Sequence, residues 1–299
     1  MKTLIAGCGY VGTALAARLV AEGHEVWALR RTPGPLPEGV EALSADLMDP
    51  STLAVIPEGL DFVFYTAAAG GYEEPRYRAA YVEGPRNLLD ALASQRQDLK
   101  RVLFTSSTGV YAQQNGEWID ETSPAEQTHF SGSALLEGER VFQSAPWPAT
   151  IVRLGGIYGP GRAQQLENVR NRIAVCPPEP TYANLIHRDD CAGVLHHLMN
   201  LDAPGELYLG VDCEPAERGA MFRWMADLLG VPPPPTAPVD AEGRSARGNK
   251  RCSNAKIRAA GYTFAFPTYR EGYTEVFAPR GISFEVPEDP EPRPSDASH

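Results

Sequence analysis

The sequence predicts a doubly wound α/β protein, a parallel sheet with helices on both faces, carrying a smaller mixed C-terminal lobe. Three observations support this. Short apolar runs alternate with longer amphipathic ones from Lys2 to about Ile151. Two of the short runs, in DFVFYTAAA and KRVLFTSS, are almost continuously apolar, as strands covered on both faces are. A glycine-rich turn, Gly7-x-Gly9-x-x-Gly12, falls between the first strand and the first helix.

The elements follow in order. TLIAG is the first strand, and Val11, Leu15 and Leu19 recur every four residues on a helix ending near Gly23. HEVWALR, EALSADL and DFVFYTAAA are the second, third and fourth strands. PRYRAAYVEGPRNLLDALASQ is a long helix before the fifth strand, KRVLFTSS. ALLEGERVFQS adds a helix and ATIVRLGGIYG a sixth strand. After Gly159 the stretch PGRAQQLENVRNRIAVCPPEP is polar and broken by proline, so it leaves the sheet. The chain returns through NLIHRDDCAGVLHHLMNL, a helix for which Asp189 or Asp190 is the expected cap and whose start His187 helps to order. His196 and His197 are assigned to the surface or the core edge. GELYLGV is the last strand. ERGAMFRWMADLLG, VPPPPTAP and SNAKIRAAGYTF mix helix and loop, which suits a lobe laid over the carboxyl ends of the strands, where open parallel sheets bind ligands. The expected boundaries are 1–158 and 183–211 for the sheet domain, 159–182 and 212–280 for the lobe, and 281–299 for an acidic, Pro-rich disordered tail.

Composition narrows the function. The chain has 299 residues, 43% hydrophobic and 22% charged, enough for a large core. No run approaches the roughly 20 apolar residues that span a bilayer, and the N-terminus carries no small-residue cleavage site, so a cytoplasmic protein without a membrane partner is expected. The net charge of −11 argues against nucleic acid, because phosphate binding needs a basic face. The five cysteines (Cys8, Cys176, Cys191, Cys213, Cys252) are scattered and form no CxxC pair. They suggest neither a disulfide framework nor a metal site, and are assigned as buried spectator thiols.

The glycine turn calls for a dinucleotide. Gly7 allows the tight turn, Gly9 lets the backbone approach a diphosphate, and Gly12 lets helix and strand pack closely, with Tyr10 and Val11 in the same turn. The diphosphate sits on the helix N-terminus, held by unpaired N–H groups and the helix dipole. An NAD site usually carries an acidic residue at the end of the second strand; here the sequence is Ala28-Leu29-Arg30-Arg31, and a guanidinium suits a 2′-phosphate. NADP is therefore the expected cofactor, with NAD the other option. Asp46 and Leu47, ending the third strand, are assigned to the adenine, and Thr66, Ala67 and Ala68, ending the fourth, complete the cofactor contacts.

GCGYVG, ADL, FTSSTGVYA, GEWIDETSP, ALLEGE, RLGGIYGPGR, NLIHRDDCAG, ELYLGV and NKRCSNAKIRAAGY occur in this order over roughly residues 1 to 275. In this the chain resembles the extended short-chain dehydrogenase/reductase superfamily, the NAD-dependent epimerase/dehydratase group, in its atypical branch with GxGxxG. The resemblance implies a Rossmann domain, a smaller substrate lobe, hydride exchange through NAD(P), and a homodimer formed through the helices beside strands four and five. It also implies that Ser107 hydrogen-bonds the substrate oxygen, with Tyr111 closing the same motif. The Tyr-x-x-x-Lys pair that handles the proton in that family is absent: Ser131 stands at the Tyr position and Leu135 at the Lys position. Tyr72-x-x-x-Arg76 and Tyr158-x-x-x-Arg162 imitate the pair on other elements. Tyr111 is the first replacement candidate, followed by Tyr77, Tyr81 and His129, with Arg162, Lys250 and Arg251 as contacts for an anionic substrate group. The expected function is an NADP-dependent oxidoreductase or epimerase on a nucleotide-sugar or another small carbonyl or hydroxyl compound. The alternative is a catalytically inactive NADP-binding sensor or regulatory protein. The GYVG stretch is shared with longer nucleotide-sugar dehydrogenases that use a catalytic Cys, but no cysteine here has the glycine-rich setting of that chemistry.

Overall fold

Alternation along the first strand sets the layers. In β1 (Lys2–Ala6), Leu4 and Ala6 enter one hydrophobic cluster and Ile5 the other, because successive strand side chains take opposite faces. With both faces apolar, helices must cover both. α1 (Tyr10–Ala21) covers the Ile5 face with Val11, Leu15 and Leu19. β2 (Glu25–Arg30), β3 (Val40–Ser44) and β4 (Phe62–Tyr65) follow. The computed structural model describes residues 1–126, 129–238 and 248–277; the tail expected at 281–299 lies outside them.

The long helix after β4 has an irregular middle. α2 (Glu74–Arg78) passes through a π-type turn at Ala79–Glu83 into α3 (Gly84–Ser94). Pro85 accounts for it: proline has no N–H to offer the carbonyl of Tyr81 four residues back, so the ladder widens there. The Tyr65 hydroxyl donates to the Ala80 carbonyl (2.5 Å), and a Cβ at Gly138 on the neighbouring helix would strike the Tyr81 carbonyl.

The chain continues through β5 (Arg101–Ser107), β6 (Glu117–Ile119), α4 (Phe130–Gln143), β7 (Ala149–Leu154), β8 (Gly156–Tyr158), α5 (Gln164–Arg170), β9 (Tyr182–Ala183), β10 (Leu185–His187) and α6 (Arg188–Met199). It ends with β11 (Leu207–Gly210), β12 (Ala216–Glu217), α7 (Arg218–Leu229), β13 (Lys250–Cys252), α8 (Ala255–Ala259) and α9 (Tyr269–Phe277). Seven parallel strands form the main sheet in the order β11-β7-β5-β4-β1-β2-β3. Connections reverse direction between β1 and β4, and open parallel sheets bind ligands at such a point. α1 and α6 pack on one face, α3 and α4 on the other. This is the doubly wound Rossmann-like α/β fold the sequence predicts. Among the described residues no helix is long and apolar enough to cross a membrane.

Three local expectations are corrected. The sixth strand divides at Gly155: β7 stays in the main sheet, while β8 leaves it to pair with β10. His187 caps α6, its Nδ1 accepting from the Asp189 N–H (3.3 Å). Asp189 instead pairs with Arg188 (2.7 Å), and buried Asp190 accepts from the Tyr262 hydroxyl and the Ala265 and Phe266 N–H groups, tying the lobe to α6. Cys213 is exposed, unlike the other four cysteines. In the lobe, Tyr158, Met221, Met225, Tyr269 and Tyr273 form a separate core under α5, α7 and α9.

α4 is tied to the sheet by charge. The Arg153 guanidinium on β7 forms a bidentate pair with Glu139 on α4 (2.9 and 2.6 Å), both side chains almost fully buried. Ser106 on β5 donates to the same carboxylate (2.6 Å), and the third guanidinium nitrogen donates to the Tyr111 hydroxyl (2.7 Å). Removing one partner strands a buried charge, so Glu139→Ala is expected to cost about 3–5 kcal/mol in chemical denaturation. The apolar pair Glu139→Leu with Arg153→Met recovers most of that loss.

Candidate functional site

The glycine turn has the geometry of a dinucleotide cradle. Gly7 has φ +82°, a left-handed conformation that favours glycine, and its N–H donates to the Leu29 carbonyl (2.9 Å). A Cβ there would also strike Ala67, so β4 supports the turn from below. Thr66 holds the turn through its hydroxyl, which donates to the Gly7 carbonyl (3.0 Å). At Gly12 a Cβ would lie 2.7 Å from Thr66 Oγ1 and 3.0 Å from Ile5 Cγ2, so glycine allows α1 to lie close on the sheet. At Gly9 a Cβ would meet only the Gly7 carbonyl, at 3.8 Å, leaving open space above the turn. Gly9 caps α1 without a side-chain bond and the first turn carries no acidic residue, so the first N–H groups of α1 face that space unanswered. An open cradle lined with unpaired donors suits a diphosphate. Val11 contributes its side chain to the core. The Tyr10 ring stands between the guanidinium groups of Arg162 (5.7 Å) and Arg188 (5.4 Å), and its hydroxyl donates to the Pro160 carbonyl (3.0 Å).

The expected cofactor contacts beyond the turn lie around it. Arg30 ends β2 and folds onto the Gly34 and Pro35 carbonyls. Arg31 is exposed, 3.9 Å from Asp46. Asp46 accepts from the Met48 N–H (3.0 Å), and the Leu47 carbonyl accepts from Asn87 (2.8 Å). Ala68 is exposed just past β4.

On the far side of the switch point lies a cavity of about 130 Å³ lined by Tyr77, Tyr81, Ser107, Gly109, His129, Ser131 and Leu135. Ser107 ends β5, its Oγ accepting from the Gly109 N–H (3.0 Å). Ser131 and Leu135 come from the first turns of α4, and His129 is its N-cap. The Tyr72 hydroxyl lies 3.0 Å from His129 Nδ1 and 3.5 Å from Ser131 Oγ, and the last two are 3.2 Å apart, closing a triangle of proton-sharing groups. Tyr72, Tyr77, Tyr81, His129 and Phe130 pack ring against ring around it. Burial, with Tyr77 adding to it, pushes the Tyr81 hydroxyl up to about 12, which makes it a poor proton donor at neutral pH.

Several candidates lie elsewhere. Tyr111 is fully buried; its hydroxyl donates to the Asp120 carbonyl (3.0 Å) and accepts from Arg153, and burial raises its pKa to about 12. It supports the fold and does not face the cavity. Lys250 is buried, its ammonium donating to the Tyr111 carbonyl (2.9 Å). The Arg251 guanidinium donates to the Gly116 carbonyl (2.7 Å) between the Trp118 and Tyr182 rings, so both residues secure β13 against β6. Arg162, in contrast, is exposed at the cradle and close enough to Tyr81 to oppose the rise in its pKa. Of the two Tyr-x-x-x-Arg imitations, Tyr158 is buried against Tyr273. Tyr72 reaches His129 and Ser131 of the cavity wall, but Arg76 pairs with Glu73 (2.9 Å) instead of with it. Tyr72 and Phe130 lie outside the expected site residues; besides its imitation of the motif, the local signal for Tyr72 is its place after Gly70-Gly71, in the loop beyond β4 at the switch point.

The switch point, the open glycine cradle and the polar cavity beyond it define a dinucleotide-binding α/β protein with a second ligand space beside the cofactor. A family model, the NAD dependent epimerase/dehydratase family, matches residues 3–204. The chain belongs to this family. It is 29% identical to Protein YeeZ of Escherichia coli K12 over 89% of this chain and 96% of that protein. It is 26% identical to a 3-diazoavenalumate denitrifying reductase of a Streptomyces species, over 91% of this chain and 99% of that enzyme. A solved structure from Methylobacillus flagellatus, assigned provisionally as an NAD-dependent epimerase/dehydratase, is 40% identical and superposes with a TM-score of 0.78, covering 93% of this chain and 98% of that one.

The two glycines separate binding from folding. Gly9→Ala adds a methyl group to the open cradle and is expected to leave the thermal midpoint nearly unchanged while weakening dinucleotide binding at least ~10-fold, read by nucleotide fluorescence. Gly12→Ala forces a methyl group between α1 and β4 and is expected to cost about 1–3 kcal/mol of stability.

Proposed function

We propose that the protein is an NADP-dependent oxidoreductase or epimerase acting on a small hydroxyl- or carbonyl-bearing substrate, with the Tyr72–His129–Ser131 group in place of the family's Tyr-Lys pair. The observation that carries this reading is the hydrogen-bonded group of Tyr72, His129 and Ser131 beside one cavity, whose wall His129 and Ser131 share with Ser107. The cofactor, held by the α1 N-terminus and Gly9, supplies hydride exchange at the substrate carbon. Ser107 Oγ is fixed by the Gly109 N–H, which leaves its own proton for the substrate oxygen. Ser131 stands on the adjoining wall, where a proton passed along Tyr72 and His129 reaches the same oxygen. The rings of Tyr77 and Tyr81 exclude water from one side. Among the described residues no lysine or arginine lines the cavity, so an uncharged carbon skeleton belongs there, and any anionic part of the substrate belongs at the mouth, with Arg162. If the protein forms a homodimer, the exposed faces of α3 and α4, where Arg86 pairs with Glu137 (2.7 Å), are its proposed interface.

Leu135 at the lysine position favours the second reading, a cofactor-binding regulator without turnover. The readings divide on an NADPH-linked screen of carbonyl compounds and nucleotide-sugars. Turnover in the wild type, lowered ~10²–10⁴-fold by Tyr72→Phe or Ser131→Ala with cofactor affinity unchanged, supports the enzyme. Tight NADPH binding without turnover on any of them supports the regulator.

Arg31 and Arg30 are assigned to the 2′-phosphate, since β2 ends without a carboxylate. A lost charge-assisted hydrogen bond is worth about 1.5–3 kcal/mol, so Arg31→Ala is expected to weaken NADPH about 10–100-fold while hardly changing NADH.

A further inference from the structure

At the opposite end of the strands from the cradle, three side chains with metal-ligand chemistry come together. Glu22 follows the last turn of α1, His24 leads into β2, and His196 lies in the last turn of α6. Between the first two, Gly23 has φ +79°, and a Cβ there would meet nothing within 4 Å, so the glycine serves the chain reversal that sets Glu22 and His24 on either side of it. α1 and α6 pack side by side through Leu15, Leu19, Leu195 and Leu198, which fixes the third residue opposite the other two. Glu22 Oε2 and His196 Nε2 are 2.8 Å apart, and one ligand atom from each of the three residues falls within 4.8 Å of the others. Among the described residues this is the one group of three such ligands.

We infer that Glu22, His24 and His196 form a binding site for a divalent transition metal ion, zinc being the probe of choice. Two imidazoles and one carboxylate are a donor set zinc accepts with water completing its shell. Ligand atoms around a tetrahedral zinc stand about 3.3–3.5 Å apart, given bonds of about 2.0–2.1 Å, so rotation of the exposed Glu22 and the partly buried His24 toward His196 closes the present spread. Asp61 adds negative charge beside His24, while the N-terminal ammonium, 3.3 Å from His24 Nδ1, and Arg18 beside His196 oppose the ion. Asn200, 2.9 Å from His196 Nε2, is a further oxygen donor once its amide turns. The site joins the C-terminal ends of α1 and α6, two helices that pack through apolar contacts and, at their other ends, through Arg188 over the Tyr10 ring.

The test uses the full chain, stripped with a chelator and titrated with zinc against a chromophoric competitor, with cobalt absorption reporting the coordination sphere. One equivalent is expected to bind, and His24→Gln and His196→Gln are each expected to weaken it about 10–100-fold and abolish the cobalt spectrum. Zinc is expected to raise the thermal midpoint of the wild type by about 2–4 °C and to leave both variants unmoved. Metal-free melts and NADPH affinity matching the wild type establish that the variants are folded, and they do so whether or not the protein turns over any substrate. Absence of saturable binding at micromolar zinc, or unchanged affinity in both variants, overturns the site.

Discussion

The buried pair between Arg153 and Glu139 determines where the proposed chemistry can be. It fixes α4 against β5 and β7 by a two-point contact between almost fully buried side chains, with Ser106 as a further donor to the same carboxylate. A helix held this way has little freedom to slide, and its N-terminal turns are where His129, Ser131 and Leu135 face the cavity. Such a pair is weak support for net stability, since two desolvated charges cost nearly what they return. Its value here is geometric: the planar guanidinium specifies one orientation of helix on sheet, which apolar packing alone leaves less defined.

The opposite wall of the cavity depends on a backbone irregularity. Pro85 withholds a hydrogen bond from the Tyr81 carbonyl, and the π-type turn that results brings this stretch against Gly138 on α4. Tyr77 stands just before the turn and Tyr81 within it, so the aromatic wall and the anchored helix meet where one lacks a donor and the other lacks a side chain. The cavity is thus bounded by two elements whose positions are set by independent constraints, one ionic and one steric. A proton-sharing group needs walls of this kind, because distances of 3.0 to 3.5 Å between Tyr72, His129 and Ser131 persist only where the backbones carrying them are held.

What was legible in the sequence was local. The glycine spacing, the four-residue recurrence of Val11, Leu15 and Leu19 and the apolar strands are set by backbone conformation and period, which neighbouring residues reveal. Tyr111 was misassigned because the residue that claims its hydroxyl, Arg153, lies 42 positions away, and no nearby residue signals that contact. Lys250 looked free for the same reason: its acceptor is a carbonyl 139 positions earlier. Helix capping by His187 in place of an aspartate reversed the usual preference, since buried Asp190 is committed to the 262–266 segment. Tyr72 reads in the sequence as an imitation of a motif, because what sets it against His129 and Ser131 is the topology of the switch point and not its own spacing.

Leucine at position 135, which the family resemblance assigns to lysine, bears on the proposed mechanism through electrostatics. An ammonium beside a phenol stabilises the phenolate and so makes a proton available near neutral pH. Leu135 offers no such field, and Tyr81, the phenol within the cavity wall, is pushed the other way by burial. A site without a cation must therefore move its proton through groups that share it, and imidazole, phenol and hydroxyl in mutual contact do so without any of them carrying a full buried charge. On that ground the triangle beside the cavity is the arrangement that the proposed mechanism uses in place of a lysine, and a wall without lysine or arginine among the described residues suits an uncharged skeleton better than a phosphate.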